Sequence, residues 1–215
     1  MSRMTWTLPN TLTLLRLLAA PGVAVMFLYF HRPWADWFAL ALFVGAAVTD
    51  YFDGYLARLW KQESNFGRML DPIADKAMVV IALLVLTGYS GMNPWLILPA
   101  TVILFREVFV SGLREFLGAR AGTLHVTKLA KWKTTAQMVA IAVLFLGTGL
   151  EYLNGVAMQG MTPEQYVEAV SQGLADPVRA CGKRDCASLA NDLGIVLIWI
   201  AAALTAMTGW EYFRK

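Results

Sequence analysis

The chain has 215 residues, 58% of them hydrophobic and 15% charged, with a formal net charge of +3 and a mean hydropathy of +0.53. Soluble domains carry about 25% charged residues, so this balance excludes an ordinary water-soluble enzyme and points to an integral membrane protein. The basic residues are not gathered into an arm, which excludes a nucleic-acid partner.

Six apolar runs follow in chain order, at 11–30, 34–57, 72–89, 94–116, 134–152 and 192–213. Each is long enough, or nearly so, to cross about 30 Å of hydrocarbon at about 1.5 Å per residue. The expected fold is therefore an all-α integral membrane protein with six transmembrane helices. The first run follows Arg3 without a small-residue cleavage site, so it reads as a retained span and not as a signal peptide. Pro9, Pro72 and Pro94 fall where helices are expected to start, whereas Pro21 and Pro99 lie inside spans. Trp34, Trp95, Trp132 and Trp210 lie near span ends, as an aromatic belt requires.

The lysines and arginines orient the chain. If the N-terminus, the second and fourth loops and the C-terminus share one side, that side holds most of them, from Arg3 and Arg58 to Arg214 and Lys215. The other side keeps Arg32, Arg179, Lys183 and Arg184. The positive-inside rule makes the first side cytoplasmic, with both termini. The whole chain, 1–215, reads as a single membrane domain. Its polar segment 153–191 is an extracytoplasmic loop in which a short surface helix over 163–175 is expected, with Thr162 as N-cap. Cys181 and Cys186 are the only cysteines and lie in that loop. An oxidising compartment then predicts a disulfide between them, and no histidine or third thiol is near enough in sequence for zinc.

The chemistry is concentrated between the second and third runs, in the frame Asp50-x2-Asp53-Gly54-x2-Ala57-Arg58-x8-Gly67-x3-Asp71-x3-Asp75. On a helix, Asp50, Asp53, Gly54 and Ala57 share one face, and so do Gly67, Asp71 and Asp75. One charge at the bilayer centre costs about 3 kcal/mol on insertion scales. Four carboxylates at the mouths of two spans therefore call for compensation by divalent cations. Oxygen-only ligands suit Mg²⁺ or Mn²⁺, and two such ions would clamp a diphosphate. The plainer alternative pairs these carboxylates with Arg58, Arg68 and Lys76. An EF-hand is excluded by the missing alternate-residue ligands and closing Glu.

This frame resembles the signature of the CDP-alcohol phosphatidyltransferases and matches it at every position. The segments 8–16, 105–115 and 131–137 are similar to the same family, the last two to its phosphatidylglycerophosphate synthase branch. The resemblance implies six membrane helices with the active site at the cytoplasmic ends of helices 2 and 3, in a bacterial inner membrane, and a homodimer. It implies two divalent cations, a CDP-diacylglycerol donor and, in this branch, glycerol 3-phosphate as acceptor. By the same resemblance Asp50, Asp53 and Asp71 are the principal metal ligands. Asp75 is the general base and touches a metal too. Asn10, Thr13, Gly54, Arg58 and Ser64 contact the CDP part, with Ala57 and Gly67 lining the same donor site. The glycine allows close approach of the nucleotide and the arginine suits a phosphate.

Arg106 lies inside the fourth run, where an arginine needs a partner or a task. Arg106, Arg114, Lys131 and Lys133 would together suit the phosphate of an anionic acceptor. Against this, Arg106 could pair with a nearby glutamate while the two lysines serve as loop charges. Serine, an inositol phosphate or phosphatidylglycerol as acceptor would leave the donor site the same. An intramembrane prenyltransferase would want its aspartate motifs on well-separated helices, and a cation transporter would want carboxylates near the midplane.

Overall fold

The computed structural model of the chain describes residues 8–60, 65–117, 128–157 and 186–214, with 162, 164, 165, 168 and 171 between the last two stretches. They form six long helices: α1 (Leu8–Tyr29), α2 (Trp34–Trp60), α3 (Asn65–Tyr89), α4 (Pro94–Leu117), α5 (Lys128–Ala157) and α6 (Cys186–Arg214). The chain divides into two compact units, Met1–Leu86 and Thr87–Lys215.

In the first unit α1 packs on α2. Their buried faces follow helical spacing: Ala20, Val23 and Phe27 on α1, and Ala35, Ala39, Phe43 and Ala46 on α2. The buried face of α3 continues the pattern through Leu70, Ala74, Met78 and Ala82. Alanine recurs because, in lipid, helices associate through close backbone packing and not through exclusion of water. At the start of α2 the buried Asp36 accepts from Arg32 Nε and Nη2 at 2.8 and 2.5 Å. A carboxylate in a first turn also suits the helix dipole.

In the second unit α6 packs against both α5 and α4. The approach of α6 to α5 depends on glycine. A Cβ on Gly194 would lie 2.7 Å from Leu144 Cδ2, and one on Gly147 would lie 3.3 Å from the Asn191 backbone nitrogen. On the α4 side, Trp199 Nε1 donates to the Trp95 carbonyl at 2.9 Å. Ile103, Ile141, Phe145, Ile198 and Ala201 fill the interior.

Outward faces carry Leu18, Leu28, Leu84, Phe105, Val108 and Val196, which suits lipid and not water. Trp34, Trp95, Trp132 and Trp210 are all exposed near helix ends, as the belt expectation requires. Among the described residues, four stretches are long and apolar enough to cross a membrane: Asn10–Tyr29, Pro94–Leu113, Trp132–Gly155 and Cys186–Trp210. Within α2 the described part, Trp34–Thr49, is apolar but shorter than these four.

Three helices start well before the points given by the hydropathy reading. Helix α3 begins at Asn65, so Pro72 sits inside it and does not open it. Helix α5 begins at Lys128 in place of 134, and α6 at Cys186 in place of 192. The physical reason is common to all three. Apolar runs end at the first charged or polar residues, whereas a helix continues as long as its backbone bonds and side-chain pairs are satisfied. In the long loop, Thr162 and Gln165 form a reciprocal cap. The Gln165 N–H donates to Thr162 Oγ1 at 3.3 Å, and the Thr162 N–H donates to Gln165 Oε1 at 3.0 Å. Residues 164, 165, 168 and 171 are helical, as the expected surface helix requires.

Candidate active site

The buried stripe of α1 has two halves. Towards the centre of the helix it is apolar, and towards the N-terminus it is Asn10, Thr13 and Arg16, at 7%, 3% and 3% exposure. Polar side chains buried on a span are costly unless paired. Here α3 supplies partners. Thr13 Oγ1 donates to Asp71 Oδ1 at 2.7 Å, and Arg16 Nη1 donates to Asp75 Oδ1 at 3.0 Å. A step of three residues along α1 thus matches a step of four along α3 in the same chain direction. The two bonds set one turn of α1 against the carboxylate turn of α3.

The Arg16–Asp75 pair is one-sided: the arginine side chain is 2% exposed and the aspartate 50%. The cation is the fixed member, and the carboxylate it steadies still reaches solvent. Such a group can accept a proton from, or offer an oxygen to, something outside the helix pair. Gly67 is buried one turn before Asp71 on the same face, and Asp71 itself is half-buried.

Asp71 and Asp75 are hard oxygen donors one turn apart, a donor set that suits Mg²⁺ or Mn²⁺. The backbone at Asp50, Asp53, Gly54, Ala57 and Arg58 is helical within α2, but their side chains lie outside the description, and Ser64 lies outside the described residues altogether. Among the described residues no group of three or more His, Cys, Asp or Glu side chains converges. Two of the four frame carboxylates are within that description, and their chemistry fits the ion.

The second unit carries a separate polar cluster where α4, α5 and α6 meet. Lys133 Nζ and Arg106 Nη1 share one carboxylate oxygen, Glu107 Oε1, the arginine at 3.5 Å. The side chains of Arg106, Glu107 and Lys133 are 12%, 14% and 7% exposed. Arg106 Nη2 also donates to Thr208 Oγ1 at 3.3 Å. Gln137, one turn beyond Lys133, is buried as well. Two of the four cations expected at an acceptor phosphate are therefore brought together on one glutamate, and for Arg106 this is the pairing that the plainer alternative expected. At Arg114 and Lys131 the backbone is helical and the side chains lie outside the description.

Three residues of these clusters escaped the reading of the sequence as site residues. Arg16 carried a signal, a charge inside an apolar run three residues after Thr13. Glu107 carried a weaker one, its adjacency to Arg106. Thr208 carried none, because its partner is about a hundred residues away in the chain. Cys186 is buried at the first position of α6 and is disulfide-bonded. The other cysteine of the chain, Cys181, lies outside the described residues.

Comparison with known proteins gives the cluster its context. A family model described as CDP-alcohol phosphatidyltransferase matches residues 6–175. A Cereibacter sphaeroides protein named CDP-diacylglycerol–glycerol-3-phosphate 3-phosphatidyltransferase is 79% identical over 212 residues, covering 99% of this chain and 96% of that one. Proteins of the same name are similar at greater distance. The Rickettsia bellii protein is 36% identical over 96% of this chain and 93% of its own. The Shigella flexneri protein is 41% identical over 80% of this chain and 100% of its own.

Proposed function

This chain belongs to the CDP-alcohol phosphatidyltransferase family, and we propose that it transfers a phosphatidyl group from CDP-diacylglycerol to glycerol 3-phosphate, releasing CMP and forming phosphatidylglycerophosphate. It is a membrane-bound transferase of phospholipid biosynthesis. The near-full-length likeness to the Cereibacter sphaeroides protein carries this reading. The geometry of α1 against α3 supports it, since a donor diphosphate needs carboxylates held open at one end of a helix pair.

In this reading Asp50, Asp53, Asp71 and Asp75 hold two divalent cations, Mg²⁺ or Mn²⁺, which when bound neutralise the donor's diphosphate. Thr13 orients Asp71 through its hydroxyl, and Arg16 orients Asp75 through its guanidinium. The exposed carboxylate of Asp75 takes the proton of the acceptor hydroxyl. The hydroxyl oxygen forms a bond to the donor's β-phosphorus as the bond to CMP breaks, and CMP leaves with that electron pair. Asn10, Gly54, Ala57, Arg58, Ser64 and Gly67 receive the CDP part. Arg106, Arg114, Lys131 and Lys133 bind the acceptor's phosphate, where charge-assisted hydrogen bonds are roughly twice as strong as neutral ones.

The finer placement follows the same reading. All six helices cross a bacterial inner membrane, both termini are cytoplasmic, and the frame lies at the cytoplasmic ends of α2 and α3. The chain acts as one membrane domain and as a homodimer. The loop 153–191 faces away from the cytoplasm, where a Cys181–Cys186 disulfide is stable. An acceptor panel with purified protein in detergent and CDP-diacylglycerol tests the assignment. Glycerol 3-phosphate is expected to be turned over, with glycerol, serine and inositol poor. Efficient turnover of serine or inositol would displace the acceptor and leave the donor site standing.

A further inference from the structure

We propose that Thr208, on the last helix, is a positioning residue for acceptor binding: it fixes the guanidinium of Arg106 in the orientation that receives the acceptor's phosphate. This rests on the reading above that Arg106 binds that phosphate. The family match ends at residue 175, so it assigns no part to α6.

Arg106 is gripped from two directions. On its own helix, Glu107 Oε1 faces Nη1 at 3.5 Å, and that oxygen is held in turn by Lys133. From α6, Thr208 Oγ1 accepts from Nη2 at 3.3 Å. The threonine is itself fixed. It is 1% exposed, and its hydroxyl lies 3.0 Å from both the Leu204 and Thr205 carbonyls. A hydroxyl has one proton to donate. With that proton committed to the helix backbone, the remaining lone pairs point to a donor, and Arg106 is the donor present.

The next residue completes the seat. A Cβ on Gly209 would lie 3.1 Å from Arg106 Cγ and 3.8 Å from Nε. The arginine stem thus lies against the α6 backbone at a place with no room for a side chain unless the stem shifts. Arginine has high rotamer entropy, and a fork fixed in advance loses less of it when the anion arrives. Thr208 and Gly209 act through Arg106 and touch no substrate, so their effect falls on acceptor affinity alone.

The test uses the full chain in detergent with CDP-diacylglycerol and glycerol 3-phosphate varied separately. Thr208→Val keeps the shape and removes the acceptor lone pairs. It is expected to raise the KM for glycerol 3-phosphate about three- to tenfold, the scale of ordering one arginine side chain. The KM for the donor should stay near the parental value, and the melting temperature should fall by a few degrees at most, the cost of one buried donor left unpaired. Thr208→Ser should restore acceptor KM to within about twofold, and Gly209→Ala should raise it by displacing the stem. An unchanged acceptor KM in Thr208→Val would overturn the proposal, as would a parallel rise in donor KM with loss of thermal stability. Arg106→Lys separates the two levels of the argument. If it raises acceptor KM while Thr208→Val does not, the positioning role alone fails. If Arg106→Lys leaves acceptor KM unchanged, the acceptor site itself is misassigned and the positioning role falls with it.

Discussion

Glu107→Gln is expected to be strongly destabilising. The substitution keeps the side chain's shape and removes its charge. It leaves Lys133, 7% exposed, and Arg106, 12% exposed, facing a neutral amide. Removing one partner of a buried ion pair typically costs about 3–5 kcal/mol, because the remaining charge stays desolvated. Here two cations are left, although Thr208 continues to accept from one of them. For a chain of this length, about 2–4 °C of melting temperature is lost per kcal/mol, so a fall of roughly 6–20 °C is expected. Thermal unfolding in detergent, followed by far-ultraviolet circular dichroism, would read it. The double variant Glu107→Gln with Lys133→Met should recover much of the loss, since it removes one stranded cation. A fall of less than about 2 °C in the single variant, or no recovery in the double, would refute the claim that Glu107 compensates these charges.

The opposite balance holds at Arg16, whose partner Asp75 is 50% exposed and keeps its water when the arginine is lost. Arg16→Met should therefore cost only about 1 kcal/mol of stability yet depress kcat, because Asp75 loses its steadying contact; a kcat equal to the parent's would show that the pair serves packing alone. Asp75→Asn should reduce turnover by at least about a hundredfold while CDP-diacylglycerol still binds, as expected for the group that takes the acceptor's proton; near-parental turnover under saturating metal would remove that role. Thr205 Oγ1 is fully buried with no hydrogen-bond partner among the described residues. Thr205→Val should consequently be neutral or stabilise by about 1 kcal/mol, and a lowered melting temperature would reveal a partner that the described residues do not include.

The helices were legible because apolar runs of this length have few other uses, and the aspartate frame because its spacing repeats a helical face. What the sequence hid follows from how it hid it. Charges ended the apolar runs, so Lys133 read as a loop residue although α5 begins five residues earlier and its ammonium is buried on Glu107. Pro72 read as a helix start, yet the spacing of Gly67, Asp71 and Asp75 already required helix before it. Arg16 gave no sign of its partner, which lies 59 residues away in the chain. Thr208 was silent because a threonine on an apolar helix normally bonds its own backbone, and it does so here as well as accepting from Arg106.

In the proposed reaction an acceptor hydroxyl displaces CMP from the donor at this carboxylate frame. The most direct test of this displacement counts CMP and lipid product together, using purified protein, CDP-diacylglycerol, Mg²⁺ or Mn²⁺, and glycerol 3-phosphate. One CMP is expected for each phosphatidylglycerophosphate formed, with no CMP when glycerol 3-phosphate is omitted and neither product from an Asp71→Ala variant. CMP released without acceptor, or phosphatidylglycerophosphate formed at the parental rate by Asp71→Ala, would contradict the proposed reaction.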